Sequence, residues 1–211
     1  MDRRDVVRLG AVGAVAWVSK PTIVSAGMAH SCFEERPKHI RCKMGFANAP
    51  RIEEQPCKAL CWATSIAYLL RGYGAKISTD SVVHRLEIPN TCRSRDDAAI
   101  IPRANGFWRD DTGRAFRVRV DRYADMVPGS YTTEKFAPWV VALSKHPLLV
   151  GQPGHTRVLT QMTYIDAPMV LMRQQKLVLR DPWVETPNEV ELTYDDIPDP
   201  LFMFSLRARA A

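Results

Sequence analysis

The apolar residues of this chain change their period once, and that change limits the folds open to it. Leu60, Ala63, Ile66, Ala67 and Leu70 recur at helical spacing, and Gly72-Tyr73-Gly74 follows as a stop. A second short helix is predicted after Ser78-Thr79-Asp80, capped at Ser78 or Thr79, carried by Val82, Val83 and Leu86 and closed by Pro89-Asn90. Residues 90–114 are rich in Arg, Asp, Asn and Gly and read as loops around Ala98 to Ile101. From Phe116 the pattern is mainly that of strands. Phe116 to Val120 alternates strictly, and Pro128-Gly129 predicts a turn. Thr132 or Thr133 then caps one late helix with Phe136, Val140, Val141 and Leu143 on its apolar side. Further strands are predicted over 147–150, 155–164, 169–172, 176–180, 189–193 and 201–206. Helices first and strands later predict an α+β fold rather than alternating βαβ units: an N-terminal helical half and a C-terminal antiparallel, strand-rich half.

The first 29 residues read as an export signal. Arg3, Arg4 and Arg8 precede a mild apolar run from Leu9 to Val18, and small residues follow at Ser25-Ala26-Gly27-Met28-Ala29. The paired arginines resemble a twin-arginine signal. Cleavage is predicted after Ala26 or Ala29, and the apolar run is too short to cross a bilayer. Residues 30–211 then form one domain, long enough for a proper core. The chain carries a net charge of +6, to which the signal contributes four basic and two acidic residues. The other positive residues are scattered among acids along the sequence, which predicts no nucleic-acid surface. No stable membrane insertion is expected once the signal is removed, and the predicted location is periplasmic or secreted.

Five cysteines stand at Cys32, Cys42, Cys57, Cys61 and Cys92. An exported protein can form disulfides, and an odd count leaves one thiol over. If Cys61 is that thiol, Cys32 with Cys42 and Cys57 with Cys92 are candidate pairs, although the sequence does not fix the connectivity. There is no CxxC pair and the histidines are not grouped with the cysteines, so neither a metal site nor a cofactor is expected.

Cys61 falls where the first helix begins. There the free backbone N–H groups and the helix dipole favour a thiolate. Gln55, six residues earlier, brings an amide donor that can join the Cys61 N–H at a developing oxyanion. Two other stretches supply what a nucleophilic thiol needs, a base and a group to orient it. His155 opens a predicted strand directly after Pro153-Gly154. Asp181 ends another, where Pro182 forces the chain out of the ladder.

Together, Gln55, Cys61-Trp62, Gly154-His155, Asp181 and Trp183 resemble the motifs of the papain-like cysteine peptidases. The short chain and the aspartate as third member resemble their compact bacterial branches, the AvrRpt2-like and C39-like peptidases. The resemblance implies a papain-like arrangement of the α+β fold. It implies Cys61 as nucleophile, His155 as base, Asp181 as its orienter and Gln55 at the oxyanion. It also implies that Trp183 covers the His155–Asp181 contact, and it supports a Cys57–Cys92 disulfide. The local Lys58-Ala59-Leu60 departs from the Gly-Ser or Gly-Ala of papain.

The expected function is an exported thiol hydrolase that cleaves peptide bonds of a protein or peptide substrate. An acyltransferase or cross-linking enzyme on the same site, and a non-catalytic interaction module, are the alternatives. An added amine that appears in the product would mark the first, and a thiol no more reactive than free cysteine the second.

Overall fold

Strand pairing dominates the observed architecture. The computed structural model describes residues 28–87, 92, 96–126, 133–152, 154–167, 170–193, 196 and 201–211. Residues 1–27 of the expected signal, the Pro89-Asn90 stop, the Pro128-Gly129 turn, Thr132 and Pro153 lie outside them. Strands β1 (Ala29–Arg36) and β2 (His39–Gly45) come first, then helices α1 (Cys61–Gly72), α2 (Thr79–Arg85) and α3 (Asp97–Ile100). A 3-10 turn over Ile101–Ala104 leads into β3 (Gly106–Arg109) and β4 (Ala115–Met126). Helix α4 (Thr133–Leu143) is followed by β5 (Leu148–Gln152), β6 (His155–Ala167), β7 (Val170–Arg180), β8 (Glu189–Thr193) and β9 (Leu201–Ala210).

The division into a helical half and a strand-rich half does not hold. All nine strands join one antiparallel sheet in the order β1-β2-β6-β5-β9-β4-β3, with β7 and β8 added at the other edge of β6. The N-terminal hairpin β1–β2 pairs directly with β6, from Ile40↔Asp166 to Gly45↔Gln161. The stretch read as loops contributes α3 and β3, and β3 extends the far edge of the sheet. Among the described residues the helices are four and short, and they divide between the two faces. The papain-like arrangement expected for this chain is therefore not the one it adopts.

Alternation along each strand explains why both faces are covered. Leu149, Val158 and Phe204 pack with α1 and α2 in one core, while Leu148, Val150, Leu159 and Met203 pack with Trp139 and Leu143 of α4 in the other. Consecutive residues of the central strands thus serve opposite layers. Helix α1 is buried on nearly all sides, which its apolar period from Leu60 to Leu70 permits. Ser78 caps α2 by accepting a hydrogen bond from the Ser81 N–H at 3.1 Å.

Two disulfides are formed, Cys32–Cys42 across β1 and β2 and Cys57–Cys92. Cys61 is the free cysteine. Disulfides persist where the surroundings are oxidising, which fits an exported location. No helix among the described residues is long and apolar enough to cross a membrane.

Candidate active site

The sheet and α1 converge at one point. Cys61 is the first residue of α1, and β6 begins with His155 beside it. The Thr156 N–H donates to the Cys61 sulfur at 3.3 Å. The segment leading into α1 is stitched to the exit of β7. The Gln55 N–H donates to the Pro182 carbonyl at 2.8 Å, and the Asn188 amide both donates to and accepts from the Ile52 backbone. Cys61 comes from a stretch of chain far from His155 and Asp181, which are themselves 26 residues apart, yet all three are buried here, at 1%, 5% and 1% exposure.

The histidine and the aspartate form a fixed pair. His155 Nε2 lies 3.0 and 3.1 Å from the two Asp181 oxygens. The Arg157 Nε donates to Asp181 at 2.7 Å, and the Trp183 N–H donates at 2.9 Å. Burial opposes a charge on Asp181, but the hydrogen bonds from His155 and Arg157 outweigh it and hold the carboxyl down at about 2. Asp181 is thus an anion, and it commits one ring nitrogen of His155. The other, Nδ1, is buried and has no hydrogen-bond partner. An orphaned nitrogen in a buried ring is costly. It is free to take a proton from a group placed beside it. The Trp183 ring meets the His155 ring edge to face with centroids 5.0 Å apart.

A fourth buried polar residue, Asp97 at 3% exposure, sits beside the thiol. The Cys61 Sγ–H donates to Asp97 Oδ2 at 3.5 Å, and the Thr156 hydroxyl donates to the same oxygen at 2.6 Å. Asp97 opens the four-residue helix α3, with the Asp96 side chain as its cap. Nothing in the sequence marked it for this place. Asp96-Asp97 before Ala98-Ala99-Ile100-Ile101 has the form of a helix start. That local signal does not say which thiol the acid will face.

Burial, joined by Asp97, reverses the expected state of Cys61. The Trp62 N–H in the first turn of α1 and the Thr156 N–H from β6 do favour a thiolate. Burial and the Asp97 charge prevail and push the thiol up to about 12. The resting group is the protonated thiol, not the thiolate that its helix position predicts. Burial also raises the Asp97 carboxyl above its ordinary range, against the hydrogen bonds from Thr156 and Cys61.

Gln55 is buried, and its side-chain amide is held by the backbone of the approach to α1. Its amide N–H donates to the Cys57 carbonyl at 2.8 Å, and its Oε1 is buried without a partner. Trp62 is wholly buried in the core around α1. The Cys57–Cys92 disulfide ties the approach to α1 to the segment that leads to Asp97. Among the described residues, His30, Cys32 and Cys42 bring their ligand atoms within 4.8 Å of one another, but both sulfurs are spent in the disulfide.

No family model and no curated protein matches this chain. Among solved structures it is similar to a double glycine motif protease from an AMS/PCAT transporter, crystallised in complex with the leader peptide. The match covers 75% of this chain and 91% of that one, at 14% identity and a TM-score of 0.41.

Proposed function

We propose that this protein is a thiol hydrolase that cleaves peptide bonds through an acyl-enzyme on Cys61. The observation that carries the reading is His155. One ring nitrogen is held on the Asp181 anion and the other is bare, while the next residue donates its N–H to the Cys61 sulfur. That is the wiring of a base that removes a thiol proton and returns it to a leaving group.

In the reaction His155 Nδ1 takes the Sγ proton as the sulfur attacks the substrate carbonyl carbon. The C–S bond forms and the carbonyl oxygen becomes an oxyanion. Asp181 stabilises the imidazolium. The Cys61 N–H lies in the first helical turn, where backbone donors lack intrahelical acceptors, and is available to the oxyanion. Gln55 joins it once its amide leaves the Cys57 carbonyl. His155 then protonates the leaving amine, the C–N bond breaks, and water hydrolyses the thioester by the same route. Because the resting sulfur is protonated, deprotonation accompanies attack rather than preceding it. The expected N-terminal signal and the two disulfides fit a site of action outside the cytoplasm.

The test is peptide cleavage by the purified chain, followed by mass spectrometry, with Cys61→Ala and His155→Ala for comparison. Both variants should lose turnover by at least about a thousandfold and keep the circular dichroism of the parent. Cleavage that survives in Cys61→Ala would end this assignment.

A further inference from the structure

Four arginines from two distant stretches of the sequence are gathered on the sheet. In the β4–β9 pairing Arg117 stands directly opposite Arg209, and Arg119 opposite Arg207. Directly opposed like charges destabilise a strand pair. Asp121 relieves one of the two pairs, accepting from Arg119 at 3.0 Å and from Arg207. Among the described residues no carboxylate pairs with Arg117, Arg209 or Lys145, and Arg117 only covers the ring of Phe107.

These side chains border a concavity of about 640 Å³, formed with Lys145 and His146 from the approach to β5 and with Tyr73 at the end of α1. Strand β5 pairs with β9 only from Leu148↔Ser205 onward, so the C-terminal stretch of β9 has an open edge there. The cations act on what lies beneath them. Burial, joined by the charges of Arg207 and Lys145, lowers the tendency of His146 to take a proton. Burial raises the Tyr73 hydroxyl to about 12 against the pull of Arg207. That hydroxyl has no hydrogen-bond partner.

We propose that this pocket binds a multivalent oxyanion, a small molecule that carries two or more phosphate groups close together. The opposed guanidinium groups form a two-by-two array, and guanidinium forks suit phosphate oxygens. Such a ligand neutralises the charges that the fold leaves opposed. A twelve-residue α1 spans about 18 Å, and the pocket lies at its far end from Cys61. The site is therefore separate from the thiol chemistry and does not depend on it.

Calorimetric titration of the full chain with tripolyphosphate tests this, with inorganic phosphate and a short single-stranded oligonucleotide as competitors. The comparison variant is Arg117→Gln with Arg209→Gln, which leaves the Asp121 contacts in place. Thermal melting checks that it folds, and removing opposed charges should leave its melting point equal or higher. Wild type should bind one tripolyphosphate, at least about tenfold tighter than phosphate, and the double variant should bind at least about tenfold more weakly. Absence of binding at low salt, equal affinity in the folded double variant, or phosphate that binds as well as tripolyphosphate would overturn the proposal. So would an oligonucleotide that binds tighter than tripolyphosphate, because the surface would then be one for nucleic acid.

Discussion

Replacing Asp97 by Asn isolates the group that holds the Cys61 proton. The substitution keeps the size of the side chain and an oxygen for the Thr156 hydroxyl, and it removes the charge 3.5 Å from the sulfur. Two unit charges about 4 Å apart interact by about 4 kcal/mol at an effective dielectric of 20. That corresponds to about three pKa units. Burial, the first cause of the raised thiol, is untouched by the change. The thiol should therefore fall from about 12 by one to about three units. The assay is the ultraviolet absorbance of the thiolate against pH, with Cys61→Ala as the blank. Cys61 is the free cysteine, so the signal has one source. Alkylation by iodoacetamide supplies the sign in pH. Asp97 must be ionised to hold the proton, so the advantage of Asp97→Asn should be full where that carboxyl is charged. It should shrink as pH falls through the raised pKa of Asp97. A thiol midpoint that stays put or rises in the variant would refute the argument that Asp97 keeps Cys61 protonated.

Two further outcomes follow from the same geometry. The Asp181 carboxyl is held at about 2 against an ordinary 3.8, so it contributes stability above its unfolded value that is lost as pH falls from about 4 towards 2. Asp181→Asn should remove about 2 kcal/mol of that pH-dependent term, read from urea unfolding across the same range. Gly151 lies on β5 opposite the start of β6. A Cβ there would stand 2.1 Å from the Phe202 ring and 2.9 Å from the His155 carbonyl. The ring can turn but the carbonyl cannot, so Gly151→Ala should cost about 1–3 kcal/mol and lower cleavage by displacing His155. Unchanged melting and turnover would show that β5 has room to spare.

What the sequence determined by itself is local. The start of α1 at Cys61, a cap at Ser78 or Thr79 and the place of Asp181 at a strand end all follow from spacing, stop signals and turn residues within a few positions. The tertiary structure decided the rest, because it depends on pairings between distant stretches. Strand β1 is exposed along its whole length and shows no alternation, so no local pattern announces that it and β2 extend the same sheet as the C-terminal strands. The two-half division failed for that reason. Asp97 and Cys61 lie 36 residues apart, and no periodicity records that a buried acid will face the thiol and keep its proton in place. Arg117 and Arg209 face each other only through the register of β4 on β9. A shift of β9 by one residue would put Arg209 on the opposite face of the sheet from Arg117. That register brings the four arginines, which read as dispersed along the chain, to one side of the cationic pocket.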